Sequence, residues 1–249
     1  MAMSVEPATV ADAERLQFSP MRRRIAKHML ASKSASPHVG MGIEIDYQAV
    51  DAVRTALRSE WREREGFGLS YLPFVARAVC LALADHPLLN AAVDGDALLV
   101  HRRVHLGIAV DLDFEGLIVP VIKDADERSV ADLAREIRRL SQLARNRDLA
   151  VDDVTGGTYT ISNPGPFGTT FTIPIINQPQ VAILSTDGVR PRPWVVRIDE
   201  SEQIVVRPVG LAIQSFDHRA VDGAYSASFL NQLRTIIETA DWQVELGFD

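Results

Sequence analysis

The chain passes from a β-type run into a helix within Ser215-Phe216-Asp217-His218-Arg219-Ala220-Val221-Asp222-Gly223. The residues before this stretch, 204–216, are rich in Val, Ile and Leu, which is typical of a strand. The apolar residues after it repeat with the helical period: Phe229, Leu230, Leu233, Ile236 and Ile237. His218 is therefore predicted at a strand-to-helix turn, where Gly223 permits a tight backbone. We expect Asp222 to cap the following helix by accepting from its free N–H groups.

The rest of the chain interleaves helices and strands irregularly, which predicts an α+β fold with a mixed β-sheet flanked by helices. Ser19 before Pro20 and Ser129 before Asp132 mark two helix starts. We expect helices over residues 20–36, 48–64, 72–85 and 129–143. The expected strands cover residues 38–47, 91–93, 98–100, 105–111, 116–122, 158–162, 171–175, 181–185, 194–198 and 204–216.

Two segments are expected in the chain. Residues 1–16 are small, polar and acidic, which indicates a flexible leader or the remnant of a linker. Residues 17–249 are expected to form a single folded domain, since they carry the periodic apolar patterns of helices and strands.

Composition excludes several classes of protein. The 249 residues are 47% hydrophobic, enough for a large core, and their net charge of −7 argues against general nucleic-acid binding. Cys80 is the only cysteine, so no intrachain disulfide can form and a cytoplasmic location is expected. No run reaches the roughly 18 apolar residues of a membrane span, so we expect no membrane partner.

A second segment with the residue types of a reactive site is Thr160-Ile161-Ser162-Asn163-Pro164-Gly165-Pro166-Phe167-Gly168. It ends a predicted strand with a hydroxyl and continues into a turn stiffened by Pro and Gly. Such a hydroxyl can donate a hydrogen bond to a developing oxyanion. The same residues also form an ordinary turn, so the residues alone leave both interpretations open.

Together these strings resemble the catalytic domain of the dihydrolipoyl acyltransferases, the core components of 2-oxo acid dehydrogenase complexes. Further similar strings are Ile176-Asn177-Gln178-Pro179-Gln180-Val181-Ala182-Ile183-Leu184, Gly116-Leu117-Ile118-Val119-Pro120-Val121-Ile122 and the early segment 21–27. The resemblance covers residues 18–242. The histidine string alone also occurs in chloramphenicol acetyltransferase and in condensation domains, whereas the whole set in this order is specific.

The resemblance implies a chloramphenicol acetyltransferase-like, trimer-forming fold with its active site at a subunit interface. His218 would act as the base for the thiol of coenzyme A, and Ser162 of a neighbouring subunit would stabilise the oxyanion. The chain would form a homotrimer or a larger multiple of three. It would work with a lipoyl domain, an oxo acid decarboxylase and dihydrolipoamide dehydrogenase. By the same resemblance, coenzyme A would be a substrate, the lipoyl group would come from a separate or deleted domain, and no metal would be required.

Other positions are predicted by the same resemblance. Asp222 occupies a position described as catalytic in the family, although helix capping or pairing with an arginine explains it adequately. Arg54 and Arg58 lie four apart on one helix face and would bind the phosphate end of coenzyme A, or else pair with Asp51 or Glu60. Asn90 is the third predicted coenzyme A contact, although Ala91 and Ala92 follow it where the family often has serine.

The sequence leaves the acyl group and two alternatives open. Ser162, Pro164 and the string after Asn90 favour an acetyl or branched-chain acyl group over succinyl. The histidine string also fits a free-standing coenzyme A-dependent acyltransferase that acts on a small alcohol or amine. A non-catalytic scaffold would be expected to lack His218 or Ser162, and both are present.

Overall fold

The computed structural model describes residues 13–247. The predicted leader, residues 1–16, lies mainly outside this part, and its boundary with the domain stays a prediction. The α-helices in the described part are α1 (Pro20–Ala35), α2 (Gln48–Ala56), α3 (Arg58–Glu65), α4 (Leu72–Asp85), α5 (Val130–Asn146), α6 (Gly223–Thr239) and α7 (Trp242–Glu245).

The strands are short except for the first and the last two. They are β1 (His38–Asp46), β2 (Ala91–Asp94), β3 (Ala97–Val100), β4 (Leu106–Ile108), β5 (Val110–Asp111), β6 (Leu117–Ile118), β7 (Val121–Ile122), β8 (Tyr159–Ser162), β9 (Ala182–Thr186), β10 (Arg190–Ile198) and β11 (Ser201–Asp217).

The main sheet has seven strands in the order β1-β11-β9-β8-β4-β7, with β10 paired to the first half of β11. Strand β8 runs parallel to β4 and β9, and the other pairs are antiparallel. Strand β11 has 17 residues, so the β10–β11 hairpin extends well beyond its neighbours. This confirms the predicted mixed-sheet α+β fold.

The helices bury their apolar faces against the sheet and against one another. Helix α6 packs on β1 and β11, and α4 contacts both α6 and α5. Large rings fill the layer between them: Trp61, Phe74, Phe229 and Trp242 are almost fully buried, and Phe74 meets Trp242 edge to face at 5.3 Å between ring centroids. The core therefore holds the sheet rigidly from the helical side.

The predicted serine caps are confirmed. The Ser19 hydroxyl accepts from the Arg22 N–H at 3.1 Å, and the Ser129 hydroxyl accepts from the Asp132 N–H at 3.1 Å. Ser129 also donates to the Asp132 carboxylate at 2.7 Å. Each hydroxyl thus satisfies a backbone donor that the first helical turn leaves free.

Four predicted elements differ from the structure. The single helix over residues 48–64 is divided at Leu57, whose φ of −94° and ψ of 6° leave helical geometry. The long strands over residues 105–111 and 116–122 are each broken into two. The second break coincides with Pro120, between β6 and β7, which has no N–H to donate. Residues 171–175 form no strand. Pro174 has no backbone N–H to donate to a neighbouring strand, and the side chain of Ile173 packs over Gly40 of β1.

We expect Ser129→Ala to lower the free energy of unfolding by about 1 kcal/mol, because it removes the cap of α5. Urea titration followed by circular dichroism measures the change. Ser34→Ala, on the exposed side of α1, is the matched control and should be neutral or slightly stabilising, since alanine favours the helix. Equal losses in both variants would contradict the capping role.

Candidate active site

His218 lies where the sequence predicts it, in the turn between β11 and α6. Its backbone N–H donates to the Pro37 carbonyl at 3.1 Å, which ties the turn to the residue before β1. The imidazole is 47% exposed and contacts the Phe216 ring at 5.8 Å between centroids. A partly open imidazole at the end of the longest strand can reach a substrate or a second protein copy.

Asp217 and Arg219 fix the residues on either side of this histidine. The buried Asp217 carboxylate accepts from the Arg219 backbone N–H at 2.9 Å and from its guanidinium at 2.6 Å. Burial acts to raise the pKa of Asp217, but hydrogen bonds from Arg219 and Ser36 outweigh burial and lower that pKa below its usual range. This pair was not predicted from the sequence, although an aspartate that ends a buried strand beside an arginine was a usable signal.

Asp222 does not play the structural part expected of it. It occupies the N-cap position of α6, but its side chain accepts no hydrogen bond from the helix, and Arg219 pairs with Asp217 instead. The predicted capping and arginine pairing of Asp222 are therefore wrong. The carboxylate is 89% exposed and stands 3.8 Å from His218 Nδ1. It points toward solvent on the side where the imidazole is also open.

Ser162 ends β8 and lies on the wall of a cavity of about 430 Å³. Its hydroxyl makes no hydrogen bond to any residue within 13–247 and is free to donate to a ligand. Most of the cavity wall is apolar, with two carboxylates and one guanidinium. The side chains beside Ser162 include Leu72, Ile108, Val110, Asp111, Asp113, Phe114, Leu117, Arg145, Pro166 and Phe167.

Within one copy of the chain, Ser162 and His218 are far apart. The sheet register places Ser162 opposite Ser185 of β9, and Ser185 opposite Ile213 of β11. His218 lies five residues beyond Ile213, so about 17 Å along the strands and two strand spacings of about 4.8 Å separate the two residues by roughly 19 Å. A hydrogen-bonded sheet cannot bend to close this gap.

The predicted phosphate-binding arginines line a second cavity, of about 360 Å³. Arg54 donates to the Asp51 carboxylate at 2.9 Å and lies over the Tyr71 ring at 3.9 Å from its centroid. Arg58 and Arg62 also line this cavity and form no ion pair with any carboxylate of residues 13–247. Two guanidinium groups without carboxylate partners give this cavity a positive local charge. Arg62 was not predicted from the sequence, although its i, i+4 spacing from Arg58 could have indicated it.

Asn90 lies apart from these arginines. Its amide nitrogen donates to the His101 and Arg103 carbonyls at 3.2 and 2.9 Å, which secures the segment after β3. Its buried Oδ1 has no hydrogen-bond partner among the described residues. Asn90 lines a different cavity, of about 310 Å³, that shares no residue with the arginine cavity. Its contact with coenzyme A stays a prediction.

A fourth cavity, of about 260 Å³, lies between the arginine cavity and the Ser162 cavity. It shares Gly68 with the former, and Ser141 and Arg145 with the latter. Arg138 lies on its wall with the guanidinium over the Phe67 ring at 4.9 Å. The three cavities are neighbours, and we refer to them together as the groove, which has a cationic end and an end at Ser162.

Neither a metal centre nor a membrane span is found in the part of the chain that the structure describes. No cluster of three or more His, Cys, Asp or Glu side chains there could hold a metal ion. No helix between residues 13 and 247 is long and apolar enough to cross a membrane.

The fold is that of the chloramphenicol acetyltransferases. A solved chloramphenicol acetyltransferase superposes with a TM-score of 0.50 over 86% of this chain and 94% of its own, at 12% identity, which concerns the fold alone. The chain belongs to the family described as 2-oxoacid dehydrogenases acyltransferase (catalytic domain), which matches residues 10–244. The resemblance drawn from the histidine and serine strings is thereby confirmed.

Relatives with different acyl groups are similarly close. The succinyltransferase component of the 2-oxoglutarate dehydrogenase complex of Bartonella vinsonii subsp. berkhoffii is 36% identical over 225 residues, 90% of this chain and 54% of that protein. The lipoamide acyltransferase component of the branched-chain alpha-keto acid dehydrogenase complex of Bacillus subtilis (strain 168) is 34% identical over 235 residues, 94% of this chain and 54% of that protein. The chain thus spans about half the length of these relatives.

A solved structure adds a comparison at the level of residues. The dihydrolipoamide acetyltransferase of Azotobacter vinelandii superposes with a TM-score of 0.86 over 97% of this chain and all of its own, at 30% identity. Its description concerns the role of a serine, a histidine and an asparagine in the catalytic mechanism, the last two being four positions apart. His218 and Asp222 have the same spacing here.

We expect Arg219→Leu to destabilise the protein by about 1–3 kcal/mol near neutral pH, because it leaves the buried Asp217 carboxylate without its main donor. The pKa of Asp217 is lowered by folding, so its stabilising effect is present above the ordinary aspartate value of about 3.9 and is lost as pH falls through the folded value.

The difference between the wild type and Arg219→Leu should therefore shrink as the pH falls below about 4. Thermal unfolding between pH 3 and pH 8 measures it. Arg234→Leu, on the surface of α6, serves as the control for the loss of one positive charge. A difference that stays constant with pH would contradict the pairing.

Proposed function

We propose that this chain transfers an acyl group between a dihydrolipoyl arm and coenzyme A, as the core acyltransferase of a 2-oxo acid dehydrogenase complex. The observation that carries the proposal is the placement of His218 and Ser162. Both are accessible at opposite ends of one sheet, in a chain of this family. Two copies can bring the serine of one to the histidine of the other.

The chemistry needs only these two groups and the substrates. A free thiol has a pKa near 8.5 and is mostly protonated at neutral pH, whereas an imidazole near 6.5 is mostly neutral. Full proton transfer between such groups would be uphill by roughly 2.7 kcal/mol, so removal of the proton is best concerted with attack. His218 takes the proton of the coenzyme A thiol as the sulfur attacks the S-acyl thioester. The same imidazole then returns a proton to the departing dihydrolipoyl sulfur.

Ser162 supports the same step from the other copy. Its unpaired hydroxyl donates to the oxygen of the tetrahedral intermediate, where negative charge develops. Asp222 stands 3.8 Å from His218 Nδ1, so its carboxylate lies beside the imidazole that takes the thiol proton. The asparagine at the matching spacing in the Azotobacter vinelandii protein supports a role for this position in the reaction.

Coenzyme A fits the groove by charge. Its phosphates would lie on Arg54, Arg58 and Arg62, and its pantetheine chain would pass Gly68 toward Ser162. Arg58 and Arg62, which form no ion pair within residues 13–247, are suited to phosphate because guanidinium groups donate in a planar fork. A local cationic site also holds an anionic substrate on a chain whose overall charge of −7 would repel it.

The assembly we propose is a homotrimer or a larger multiple of three. The separation of His218 from Ser162 requires at least a second copy, and the number three comes from the family resemblance. A lipoyl domain would bring the acyl group to this core. The decarboxylase and dihydrolipoamide dehydrogenase components would act before and after it. The cytoplasmic location remains a prediction.

For the acyl group we favour acetyl or a branched chain over succinyl. The wall beside Ser162 is largely apolar and carries the carboxylates of Asp111 and Asp113, which would repel the free carboxylate of a succinyl group. The relatives include both succinyl- and branched-chain-transferring components, so identity alone does not choose between them. An acyl-coenzyme A panel with free dihydrolipoamide as acceptor tests this choice. Turnover of an alcohol or amine instead would favour the free-standing enzyme.

A shared site predicts complementation between inactive variants. His218→Ala and Ser162→Ala should each lower kcat, Ser162→Ala by about 100- to 1,000-fold and His218→Ala by at least as much. If the two are co-expressed in equal amounts and assemble at random, about one quarter of all sites should be active, since each site draws one residue from each of two copies. Mixtures that stay inactive despite mixed assembly would contradict the shared site.

The arginine groove predicts a defect specific to phosphate. Arg58→Gln should raise KM for coenzyme A by about 10- to 100-fold, because it removes a charge-assisted contact. KM for pantetheine, which has the same thiol arm without phosphates, should not change. Arg234→Gln on α6 is the control for net charge. An equal rise for both thiols would place Arg58 at the arm rather than at the phosphates.

A further inference from the structure

The tip of the β5–β6 hairpin exposes an aromatic ring in an unfavourable backbone conformation. Phe114 is 80% exposed and has φ of 64°, next to Asp113 with φ of 50°. A tight hairpin turn with two positive φ angles normally takes Asn-Gly or Asp-Gly, since side chains beyond Cβ crowd the carbonyl there. Asp113-Phe114 therefore carries two costs in the folded state: both residues have a positive φ angle, and the apolar ring of Phe114 is exposed to water.

The rest of the hairpin is held firmly, so the exposure of Phe114 is not a matter of a loose loop. Helix α1 packs against Gly116 so closely that a Cβ there would lie 2.7 Å from the sulfur of Met21. The Arg147 guanidinium pairs with Glu115 at 2.5 Å, and the Asp111 carboxylate accepts from the Phe114 N–H at 3.2 Å. These contacts fix the turn from behind and leave its ring free on the other side.

A second exposed ring meets Phe114 from the segment that carries Ser162. Phe167 lies in the single helical turn Gly165–Phe167, five residues after Ser162, and is 61% exposed. The two ring centroids are 5.9 Å apart with an angle of 57° between planes. Both rings line the Ser162 cavity, and their exposure places them at its mouth. We call Phe114 and Phe167 the aromatic collar.

We propose that the aromatic collar positions the aliphatic stem of the dihydrolipoyl arm at the entrance to the Ser162 cavity. The inference rests on the proposed function and names the residues that hold one of its two substrates. The reacting carbon must lie beside the Ser162 hydroxyl, so the acyl group occupies the interior of the cavity. The mouth then contacts the part of the carrier beyond its sulfur atoms, and in a dihydrolipoyl arm that part is a chain of methylene groups.

Coenzyme A and the dihydrolipoyl arm differ in polarity, which indicates a different binding region for each. The pantetheine chain of coenzyme A contains two amides and ends in phosphates, which the groove with Arg54, Arg58 and Arg62 suits. The collar offers two ring faces and no hydrogen-bond donor from its side chains. Methylene groups lose water favourably on such faces, whereas amides would lose hydrogen bonds to water without replacement.

The test compares acceptors that share a dithiol and differ in the stem. For Phe114→Ala and Phe167→Ala we expect KM for dihydrolipoamide to rise by roughly 5- to 10-fold, with kcat nearly unchanged, because ring contacts act in binding. KM for 1,3-propanedithiol, which has no stem, and KM for acyl-coenzyme A should stay as in the wild type. Phe114→Leu should restore most of the affinity, because it keeps an apolar side chain. Leu99→Ala, an exposed apolar residue on the separate β2–β3 hairpin, is the control.

Three results would overturn the collar. Equal rises in KM for dihydrolipoamide and propanedithiol would show that the rings do not contact the stem. A changed preference among acyl-coenzyme A substrates would place the rings at the acyl group. A lower assembly mass of the variants by light scattering would show that a second copy covers them. A wild type that turns over no dithiol contradicts the proposed function itself, whereas failure of the variants alone contradicts only the collar.

Discussion

The hydrogen-bonded register of β11 is the constraint on which the site depends. One half of this strand pairs with β1 and β9 inside the sheet, and the other half leaves the sheet with β10. The strand ends at Asp217, so His218 appears where the pairing stops. The same ladder places Ser162 at the opposite end of the sheet from His218, because β8 runs parallel to β9 and β9 runs antiparallel to β11. A slip of one residue would turn every side chain of β11 to the opposite face.

Hydrogen bonds of the neighbouring residues fix the backbone around His218 and leave its imidazole accessible. The carboxylate of the buried Asp217 pairs with the guanidinium of Arg219. The Pro37 carbonyl accepts a hydrogen bond from the backbone N–H of His218 and so fixes the turn. Because these bonds lie on the chain on either side of His218, the imidazole is left without a buried partner and stays partly exposed. The exposed Asp222 adds a negative charge nearby without a rigid hydrogen bond. Stability and reactivity are thus assigned to different residues of one short segment.

The groove has a cationic end and a largely apolar end. Cationic side chains gather where α2 and α3 meet the loop at Gly68, whereas apolar side chains and rings gather around Ser162. Two substrates of different polarity can therefore approach one hydroxyl from different sides. On a chain with net charge −7, this separation depends on Arg58 and Arg62, which no carboxylate within residues 13–247 neutralises.

Local sequence determined much of this protein. The serine caps, the helices from Pro20 and Leu72, the turn that bears His218 and the hydroxyl that ends β8 all follow from propensity and periodicity over a few residues. Residues 171–175 alternate like a strand and form none, and Asp222 precedes a helix without capping it, because pairing partners and side-chain rotation are settled by neighbours elsewhere in the chain. Only the tertiary structure decided that Ser162 and His218 stand at opposite ends of one sheet and that Phe114 meets Phe167. Each of these is a distance between segments remote in sequence, and strand order and register fix such distances where spacing along the chain cannot.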